Sequence, residues 1–171
     1  SQVPSDFYTQ PFQSGVLSVD VAWQDPSTMV RVGEGGDDLI GVSTSGGDSW
    51  WAGQQPAGAT GPGNVAMAAD GSAIVWSPDG TGVHVSTSLG SSWTPSTGVP
   101  DGATVRADRE DPSVFYALAD GTFYTSHDGG ASFTASPATG LPAAGRHHVA
   151  AVPGHAGHVW VAGGETDGVY G

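Results

Sequence analysis

Hydrophobic and polar positions alternate along this chain in short runs that recur in a fixed order. Each run is four to six residues long, is rich in β-branched or aromatic residues, and is bounded by Gly, Pro, Asp or Ser, which is typical of a β-strand. The first unit carries such runs at 17–22, 28–32 and 39–42, followed by a shorter one at 50–52. No segment combines a period of 3.6 residues with capping residues, so the pattern predicts an all-β chain.

A polar motif occupies the same place in each unit and gives the length of the repeat. It reads S-x-[D/S]-x-G-x-x-[W/F] and begins at Ser43, Ser86 and Ser126, so its copies are 43 and 40 residues apart. Four strands in about 40 residues are typical of one blade of a β-propeller. The repeat therefore predicts four-stranded antiparallel blades at 15–53, 63–96 and 102–136 and an incomplete one at 147–171. That is about three and a half blades, so we expect a piece of a larger propeller.

Composition explains the turns and excludes several classes of partner. The 171 residues include 28 Gly and 12 Pro, about twice the usual share, which supplies the hairpin turns. With 17 acidic and 4 basic residues the net charge is −13, which argues against binding to nucleic acid or to an anionic membrane. The chain has no Cys, which excludes disulfides, thiolate nucleophiles and Cys-bound metals.

The repeated motif resembles the Asp-box, or BNR repeat, of the outer hairpin of propeller blades. The resemblance implies a structural role, in which Ser and Asp brace the turn and the aromatic residue packs between sheets. The residues expected in this role are Ser43, Ser45, Gly47 and Trp50, then Ser86, Ser88, Gly90 and Trp93, then Ser126, Asp128, Gly130 and Phe133. Ser45 and Ser88 stand where the motif has Asp, and a hydroxyl accepts a turn N–H less strongly than a carboxylate.

Longer stretches, in order over nearly the whole chain, resemble the secreted xyloglucan hydrolases of glycoside hydrolase family 74. They include Asp25-Pro-Ser-Thr-Met-Val-Arg-Val-Gly33, Val75-Trp-Ser-Pro78, Val105-Arg-Ala-Asp-Arg109 and Gly121-Thr-Phe-Tyr124. The resemblance implies two seven-bladed propellers with a cleft between them, this chain being part of the second. It also implies an extracellular, endo-type enzyme without a cofactor, which cleaves the β-1,4-glucan backbone of xyloglucan with inversion.

The same resemblance implies that one Asp from each propeller acts as acid or base, with room between them for a water. Both align upstream of Ser1, so we expect no catalytic residue here and no activity from this chain alone. Asp20, within 17–21, imitates the catalytic motif, but its neighbours align it with the next blade. We expect a strand residue that supports the blade, and Asp20 is the fallback candidate for catalysis.

Three tryptophans are candidates for contact with the substrate. Proteins hold neutral sugars by stacking aromatic rings on them and by hydrogen bonds to their hydroxyls. Trp23 ends a first strand and Trp76 a second strand, and both are expected near loops. Trp51 points away from Trp50 because side chains alternate along a strand. We therefore predict Trp23, Trp51 and Trp76 as substrate-binding residues.

Other readings are weaker. Glu34, Asp37 and Asp38 offer hard oxygen ligands but match no calcium loop, and a solvated acidic turn is favoured. His147, His148, His155 and His158 lack an acidic partner at ligand spacing, so no metal is predicted. A sialidase would need an arginine triad to bind the carboxylate of its substrate, and none of the four Arg residues lies in an F/Y-R-I-P motif.

The alternative function is a non-catalytic Asp-box propeller that binds a glycan or a protein. In either case the remainder of a longer chain, or a second chain, is expected to complete the propeller.

Overall fold

A computed structural model describes residues 15–34, 38–138, 140–141 and 146–164, apart from the side chains of 146, 147 and 164. The described residues form β-strands joined by turns, and they contain no helix. Accordingly, these ranges include no helix long and apolar enough to cross a membrane.

The strands form three four-stranded sheets and one two-stranded sheet, all antiparallel. The first sheet consists of β1 (Gly15–Val21), β2 (Met29–Glu34), β3 (Ile40–Ser43) and β4 (Trp51–Ala52). The second consists of β5 (Gly61–Met67), β6 (Ile74–Asp79), β7 (His84–Ser86) and β8 (Thr94–Pro95). The third consists of β9 (Thr104–Ala107), β10 (Phe115–Ala119), β11 (Thr122–Ser126) and β12 (Thr134–Ala135). The fourth contains β13 (Arg146–Ala151) and β14 (Val159–Gly164).

Each sheet is a simple meander in which every strand pairs with the next one along the chain. The first strands of successive sheets contact one another, β1 with β5, β5 with β9 and β9 with β13, so they form the inner edge of the arrangement. The prediction of an all-β chain made of four-stranded antiparallel blades is therefore confirmed. Residues 165–171, at the end of the incomplete blade predicted at 147–171, lie outside the described residues.

The meander divides the connections between two rims. The turn between the first and second strands and the hairpin between the third and fourth lie at one end of a sheet. We call this end the box rim because it holds the three hairpins that carry the repeated S-x-[D/S]-x-G-x-x-[W/F] motif, which we call the box hairpins. The connections between the second and third strands, and those between sheets, lie at the other end, which we call the opposite rim. Backbone bonds support this arrangement, since Gly46 N donates to Ser27 O at 2.8 Å and Gly129 N donates to Ser113 O at 2.8 Å.

The apolar core lies between sheets, in three layers that we call the first, second and third seams. The first seam packs Val30, Val32, Ile40 and Val42 against Val65, Met67, Ile74 and Trp76. The second packs residues of β6 and β7 against Val105, Phe115, Ala117 and Phe133. The third packs Val114, Tyr116 and Leu118 against Val149. Alternation places the two faces of each sheet in different seams, so the middle sheets are covered on both sides.

Polar side chains on the inner strands join neighbouring sheets. Ser18 Oγ accepts from Val65 N at 3.4 Å and from Asn64 Nδ2 at 3.0 Å. Asn64 Oδ1 in turn accepts from Val105 N at 2.7 Å. Inner strands have an unpaired edge, and these side chains supply acceptors for its N–H groups. Ser18 and Asn64 therefore have the same role in consecutive sheets, since each accepts a backbone N–H from the first strand of the next sheet.

Candidate functional site

The three box hairpins share one arrangement of hydrogen bonds to a serine hydroxyl. In each hairpin, the Oγ of the first Ser accepts the backbone N–H of the box Gly, at 3.0 Å for Ser43, 2.9 Å for Ser86 and 2.9 Å for Ser126. The same oxygen also accepts the N–H two residues after it, at 3.2 to 3.4 Å. One hydroxyl thus satisfies two turn donors, which sidesteps the cost of leaving them unpaired.

The third position of the box differs between hairpins in the number of bonds it makes. Asp128 accepts Ser132 N at 2.9 Å, Ser132 Oγ at 2.5 Å and Ser126 Oγ at 2.8 Å. Partial burial would raise the pKa of Asp128, but these donors outweigh it and the pKa is lowered. Ser88, in the second hairpin, bonds Ser92 N at 3.0 Å and Ser92 Oγ at 2.9 Å. The hydroxyl therefore keeps the turn but loses the charge-assisted bonds.

The box aromatics reach into the seams or cover a sheet face. Trp93 lies 5.3 Å from Trp76 between ring centroids, and its Nε1 donates to Gln54 O at 2.7 Å. Phe133 is buried in the second seam. Trp50 lies under the Arg31 guanidinium, 4.3 Å from the ring centroid, which is a cation–π contact.

Asp20 lies near the end of β1, and its carboxylate accepts hydrogen bonds from its own sheet, from the second sheet and from Arg109, which follows the first strand of the third sheet. Its Oδ1 accepts from Arg109 Nη1 at 2.8 Å and from Val21 N at 3.0 Å. Its Oδ2 accepts from Met67 N at 2.9 Å. Asp20 is only 7% exposed, so both oxygens are occupied by the protein. This geometry suits bracing rather than proton transfer to a substrate, which needs an accessible oxygen.

Trp23 lies on the box rim, in the turn after β1, and is 51% exposed. The Arg109 guanidinium that bonds Asp20 lies 6.0 Å from its ring centroid. Beside it a shallow hollow of about 370 Å³ is lined by Val21, Ala22, Trp23 and Pro26. The neighbouring Gln24 donates from Nε2 to Glu110 O at 2.7 Å. About half of the Trp23 surface is therefore exposed, whereas the polar side chains of Gln24 and Arg109 beside it are hydrogen-bonded within the protein.

Trp51 is the first residue of the outermost strand β4, next to the box rim, and is 37% exposed. It pairs with Val42 across β3 and β4. Trp51 lies on the outermost strand of the sheet and Trp23 in the turn after the innermost strand, so β2 and β3 lie between the two residues. They therefore do not form one continuous platform.

The prediction that Trp76 contacts a sugar is wrong. Its side chain is 0% exposed in the first seam, and its Nε1 donates to Pro62 O at 2.8 Å. The strand was expected to end at Trp76 because of Pro78, but β6 continues to Asp79. Pro78 lies opposite an irregularity between Gly61 and Asn64, where a missing N–H removes no ladder bond. Trp76 is therefore in mid-strand and faces the core.

Sequence reasoning missed a buried carboxylate beside the third seam. Asp108, 1% exposed, accepts from Tyr116 Oη at 2.7 Å, from Gly157 N at 2.9 Å, and from the N–H groups of Glu110 and Asp111 at 2.8 and 2.9 Å. Burial would raise its pKa, but the four donors outweigh burial and lower it. Burial and the bond to Asp108 raise the pKa of Tyr116. Asp108 lies directly after β9 and Tyr116 on β10, so the bond between them forms only when the two strands pair, and no local sequence signal marks it.

The opposite rim presents a different chemistry. The acidic residues at its described connections are Glu34, Asp38, Asp79, Asp101 and Asp120. Arg146 begins β13 at this rim, and its side chain lies outside the described residues. Carboxylates are acceptors and match the hydroxyl donors of a neutral sugar. Asp79 and Asp101 are exposed at this rim, whereas the carboxylates of Asp20, Asp108 and Asp128 on the box rim accept bonds from within the protein.

The described residues do not bring three or more His, Asp or Glu side chains together as metal ligands would be. The rings of His155 and His158 stack at 5.5 Å between centroids, and His148 is exposed on β13. Of the acidic turn, Glu34 and Asp38 are described, whereas Asp37 lies outside the described residues. The side chain of His147 also lies outside them.

No protein family model matches the chain. The chain is 44% identical over 174 residues to a xyloglucanase of Paenibacillus sp, an alignment that covers 98% of this chain and 17% of that protein. It is 36% identical over 165 residues to xyloglucanase Xgh74A of Acetivibrio thermocellus, covering 93% of this chain and 19% of that protein. The chain thus spans about a fifth of the length of these curated relatives.

The fold agrees with the sequence comparison. The crystal structure of the GH74 xyloglucanase from Xanthomonas campestris matches with a TM-score of 0.79 and 32% identity, covering 91% of this chain and 24% of that one. The GH74 enzyme of Niastella koreensis matches with a TM-score of 0.74 and 30% identity, covering 90% and 22%. Since sequence and fold match along nearly all of its length, the chain belongs to glycoside hydrolase family 74, as a homologue of one segment of its members.

Proposed function

We propose that the protein containing this segment hydrolyses the β-1,4-glucan backbone of xyloglucan outside the cell, cutting within the polymer, and that the segment forms one wall of its cleft. The observation that carries the proposal is the 44% identity to a xyloglucanase over 98% of the chain. The fold match to a GH74 xyloglucanase supports it independently. The non-catalytic propeller has no comparable support.

The geometry favours the opposite rim as the wall of the cleft. On the box rim, the carboxylates of Asp20, Asp108 and Asp128 are occupied by internal donors. On the opposite rim, Asp79 and Asp101 are exposed at the end of β6 and in the connection after β8. Trp23 and Trp51 remain the candidates for sugar stacking if the box rim faces the substrate instead.

Titration of the purified chain with xyloglucan oligosaccharides tests the assignment. We expect binding that weakens in Asp79→Asn and Asp101→Asn, because each exchange halves the acceptor capacity of the side chain. Trp23→Ala and Trp51→Ala should leave binding unchanged, with Trp160→Ala as the matched control at an exposed indole. Weakening in the Trp variants alone would move the wall to the box rim, and equal affinity for an α-linked glucan would contradict the proposed substrate.

Activity is the second measurement. We expect no release of reducing sugar from xyloglucan by this chain, because both oxygens of Asp20 are occupied and the resemblance places the catalytic Asp pair elsewhere. Release that is lost in Asp20→Ala would make Asp20 catalytic and overturn this expectation.

A further inference from the structure

Six Asp residues of this chain are followed directly by Gly, and such a pair can rearrange its own backbone. They are Asp70, Asp79, Asp101, Asp120, Asp128 and Asp167. The backbone nitrogen of the Gly can attack the side-chain carboxyl of the Asp, because Gly has no side chain that obstructs the approach. The first five pairs lie among the described residues, so their bonds and exposure can be compared.

The rearrangement has two steps, and water is its only co-reactant. In the first step, the Gly nitrogen bonds to Cγ of the protonated Asp, and the carboxyl hydroxyl leaves with the amide proton as one water, which closes a five-membered succinimide ring. In the second step, water adds to one of the two ring carbonyls and breaks its bond to nitrogen. Breaking the bond to Cγ restores Asp, whereas breaking the bond to the main-chain carbonyl gives isoaspartate.

The pair at Asp128, on the box rim, is bonded at both reacting groups. The carboxylate accepts from Ser132 N at 2.9 Å and from Ser126 Oγ at 2.8 Å. The attacking nitrogen, Gly129 N, donates to Ser113 O at 2.8 Å. Burial would raise the pKa of Asp128, but its hydrogen bonds outweigh burial and lower it. The carboxyl therefore stays in its ionised form, which has no hydroxyl to lose.

The pair at Asp70, also on the box rim, is bonded in the same way. Its carboxylate accepts from Ser72 N at 2.9 Å. Gly71 N donates to Ala68 O at 2.9 Å, and Gly71 is buried. Both groups would have to leave their partners before the nitrogen could approach Cγ. We therefore expect the two pairs on the box rim to be protected from the rearrangement.

The pair at Asp101 is bonded at neither group. It lies in the connection between β8 and β9, on the opposite rim. Among the described residues, no hydrogen bond holds the Asp101 carboxylate or the Gly102 N–H. Both residues are exposed, and a Cβ on Gly102 would meet nothing within 4 Å. The peptide between Asp101 and Gly102 can therefore rotate without losing a bond or meeting a neighbour.

Asp79 and Asp120 are exposed on the same rim, but their backbones are held. Asp79 ends β6, and its carbonyl accepts from Thr60 N at 2.8 Å. Asp120 lies in the two-residue turn between Ala119 and Thr122, which pair across β10 and β11. Closing the ring rotates the peptide that follows the Asp, since the dihedrals on either side of Cα are the soft ones. Both pairs would lose contacts in this rotation, so we expect both to react slowly.

We infer that Asp101 is a site of spontaneous isomerisation to isoaspartate. The product keeps its single negative charge, but the main chain of the connection now runs through Cβ and Cγ and is longer by one carbon. The carboxylate is attached directly to Cα and therefore reaches less far from the main chain. The inference rests on the bonds and the exposure of the Asp-Gly pairs and does not depend on the substrate of the protein.

Incubation of the purified, folded chain for several weeks at a mildly acidic pH, followed by peptide mapping, tests the inference. Endoproteinase Asp-N cleaves before Asp but not before isoaspartate, and electron-transfer fragmentation distinguishes the two isomers, which have equal mass. We expect isoaspartate to accumulate at Asp101 about tenfold faster than at Asp70 and Asp128, because hydrogen bonds that must break first raise the barrier to ring closure. Asp79 and Asp120 should lie between these limits.

Two controls separate the effect of the structure from that of the local sequence. Asp101→Glu keeps the charge but would need a six-membered ring, so position 101 should stay unmodified while the other four pairs react as before. In urea the five rates should converge, because unfolding removes the bonds that distinguish the pairs. Faster reaction at any pair other than Asp101 in the folded chain, no isoaspartate at Asp101, or an unchanged ranking in urea overturns the inference. None of these outcomes depends on activity toward xyloglucan.

Discussion

The Asp20 carboxylate joins residues that are far apart in the sequence. It bonds Met67 N in the second sheet and Arg109 in the third, and the ion pair is mostly buried, with side-chain exposures of 8% for Asp20 and 21% for Arg109. A partly desolvated pair of this kind costs most when only one partner is removed, because the other charge stays behind. Asp20 is therefore expected to contribute to stability out of proportion to its size.

Asp20→Asn should lower the free energy of unfolding by about 2 kcal/mol. The amide still accepts from Met67 N, but it leaves the Arg109 guanidinium without its carboxylate. Urea unfolding at neutral pH measures the change. Asp48→Asn, at an exposed position of the first hairpin, is the control and should change stability by less than about 0.5 kcal/mol. Equal stability of both variants would mean that the ion pair contributes nothing.

Asp108 gives the fold a predictable dependence on pH. Its pKa in the folded protein lies below the ordinary value, which is about 3.9 in the unfolded chain. Its stabilising effect is therefore complete above about pH 4 and is lost as the pH falls through the folded-state pKa. Burial opposes this effect and the four hydrogen bonds produce it.

Asp108→Asn should cost about 2–3 kcal/mol of unfolding free energy at pH 7, and the difference from the parent chain should shrink below about pH 4. Urea unfolding of both proteins between neutral and acid pH measures this difference. Asp70→Asn is the matched control, because Asp70 is an exposed turn carboxylate that accepts one bond, from Ser72 N at 2.9 Å. If the difference in unfolding free energy between Asp108→Asn and the parent chain stays constant down to acid pH, the charge of the Asp108 carboxylate is not the source of that difference.

At the scale of the element, the second and third box hairpins pack on the preceding sheet as well as closing their own. Two adjacent glycines of the third hairpin separate these roles. Gly129 and Gly130 both have positive φ, 72° and 91°. A Cβ on Gly129 would meet open space, whereas one on Gly130 would meet the side chain of Val75 across the second seam.

Gly129→Ala should cost about 1 kcal/mol, from the strain of an L residue at positive φ. Gly130→Ala should cost about 3 kcal/mol, because contact with Val75 adds to the same strain. Chemical unfolding of the two variants side by side isolates the contribution of the seam, since each is the control for the other. Equal costs would show that the hairpin can shift away from β6 without loss.

The sequence predicted the strands well because turn residues and alternating runs are local signals. The runs at 17–22, 28–32 and 39–42 correspond to β1, β2 and β3 within two residues at each end. Contacts between residues that are far apart in the sequence were not predictable in the same way. Asp20 and Arg109 are 89 residues apart, and only the ring-like packing of sheets brings them together. Trp76 was misplaced because the irregularity that accommodates Pro78 is a property of the paired strand, β5.

At the scale of the whole molecule, charge is unbalanced. The net charge is −13, with four Arg and no Lys. Of the described Arg residues, Arg31 and Arg106 are at least partly buried, and burial lowers the pKa of both. Repulsion among the surface carboxylates therefore opposes the compact state.

Raising the ionic strength from about 0.01 M to about 0.15 M should increase stability at pH 7, because the Debye length falls from about 30 Å to about 8 Å and screens this repulsion. Thermal unfolding across a salt series measures the effect. The same series near pH 4.3, the isoelectric point calculated from the sequence, is the control, and the increase should nearly vanish there. Loss of stability with salt at pH 7 would mean that attractive pairs such as Asp20–Arg109 outweigh the repulsion.

The packing of each hairpin on the preceding sheet also orders events during synthesis of the chain. All four strands of the first and of the second sheet are synthesised before the hairpin that covers that sheet has been made. The repeat is 40 to 43 residues long, and a ribosome adds about 5–20 residues per second. Each blade therefore waits for about 2–8 s with that face open to chaperones or to other nascent chains. The length of the repeat sets this delay, so an insertion between sheets would lengthen the exposure even where the finished fold tolerates it.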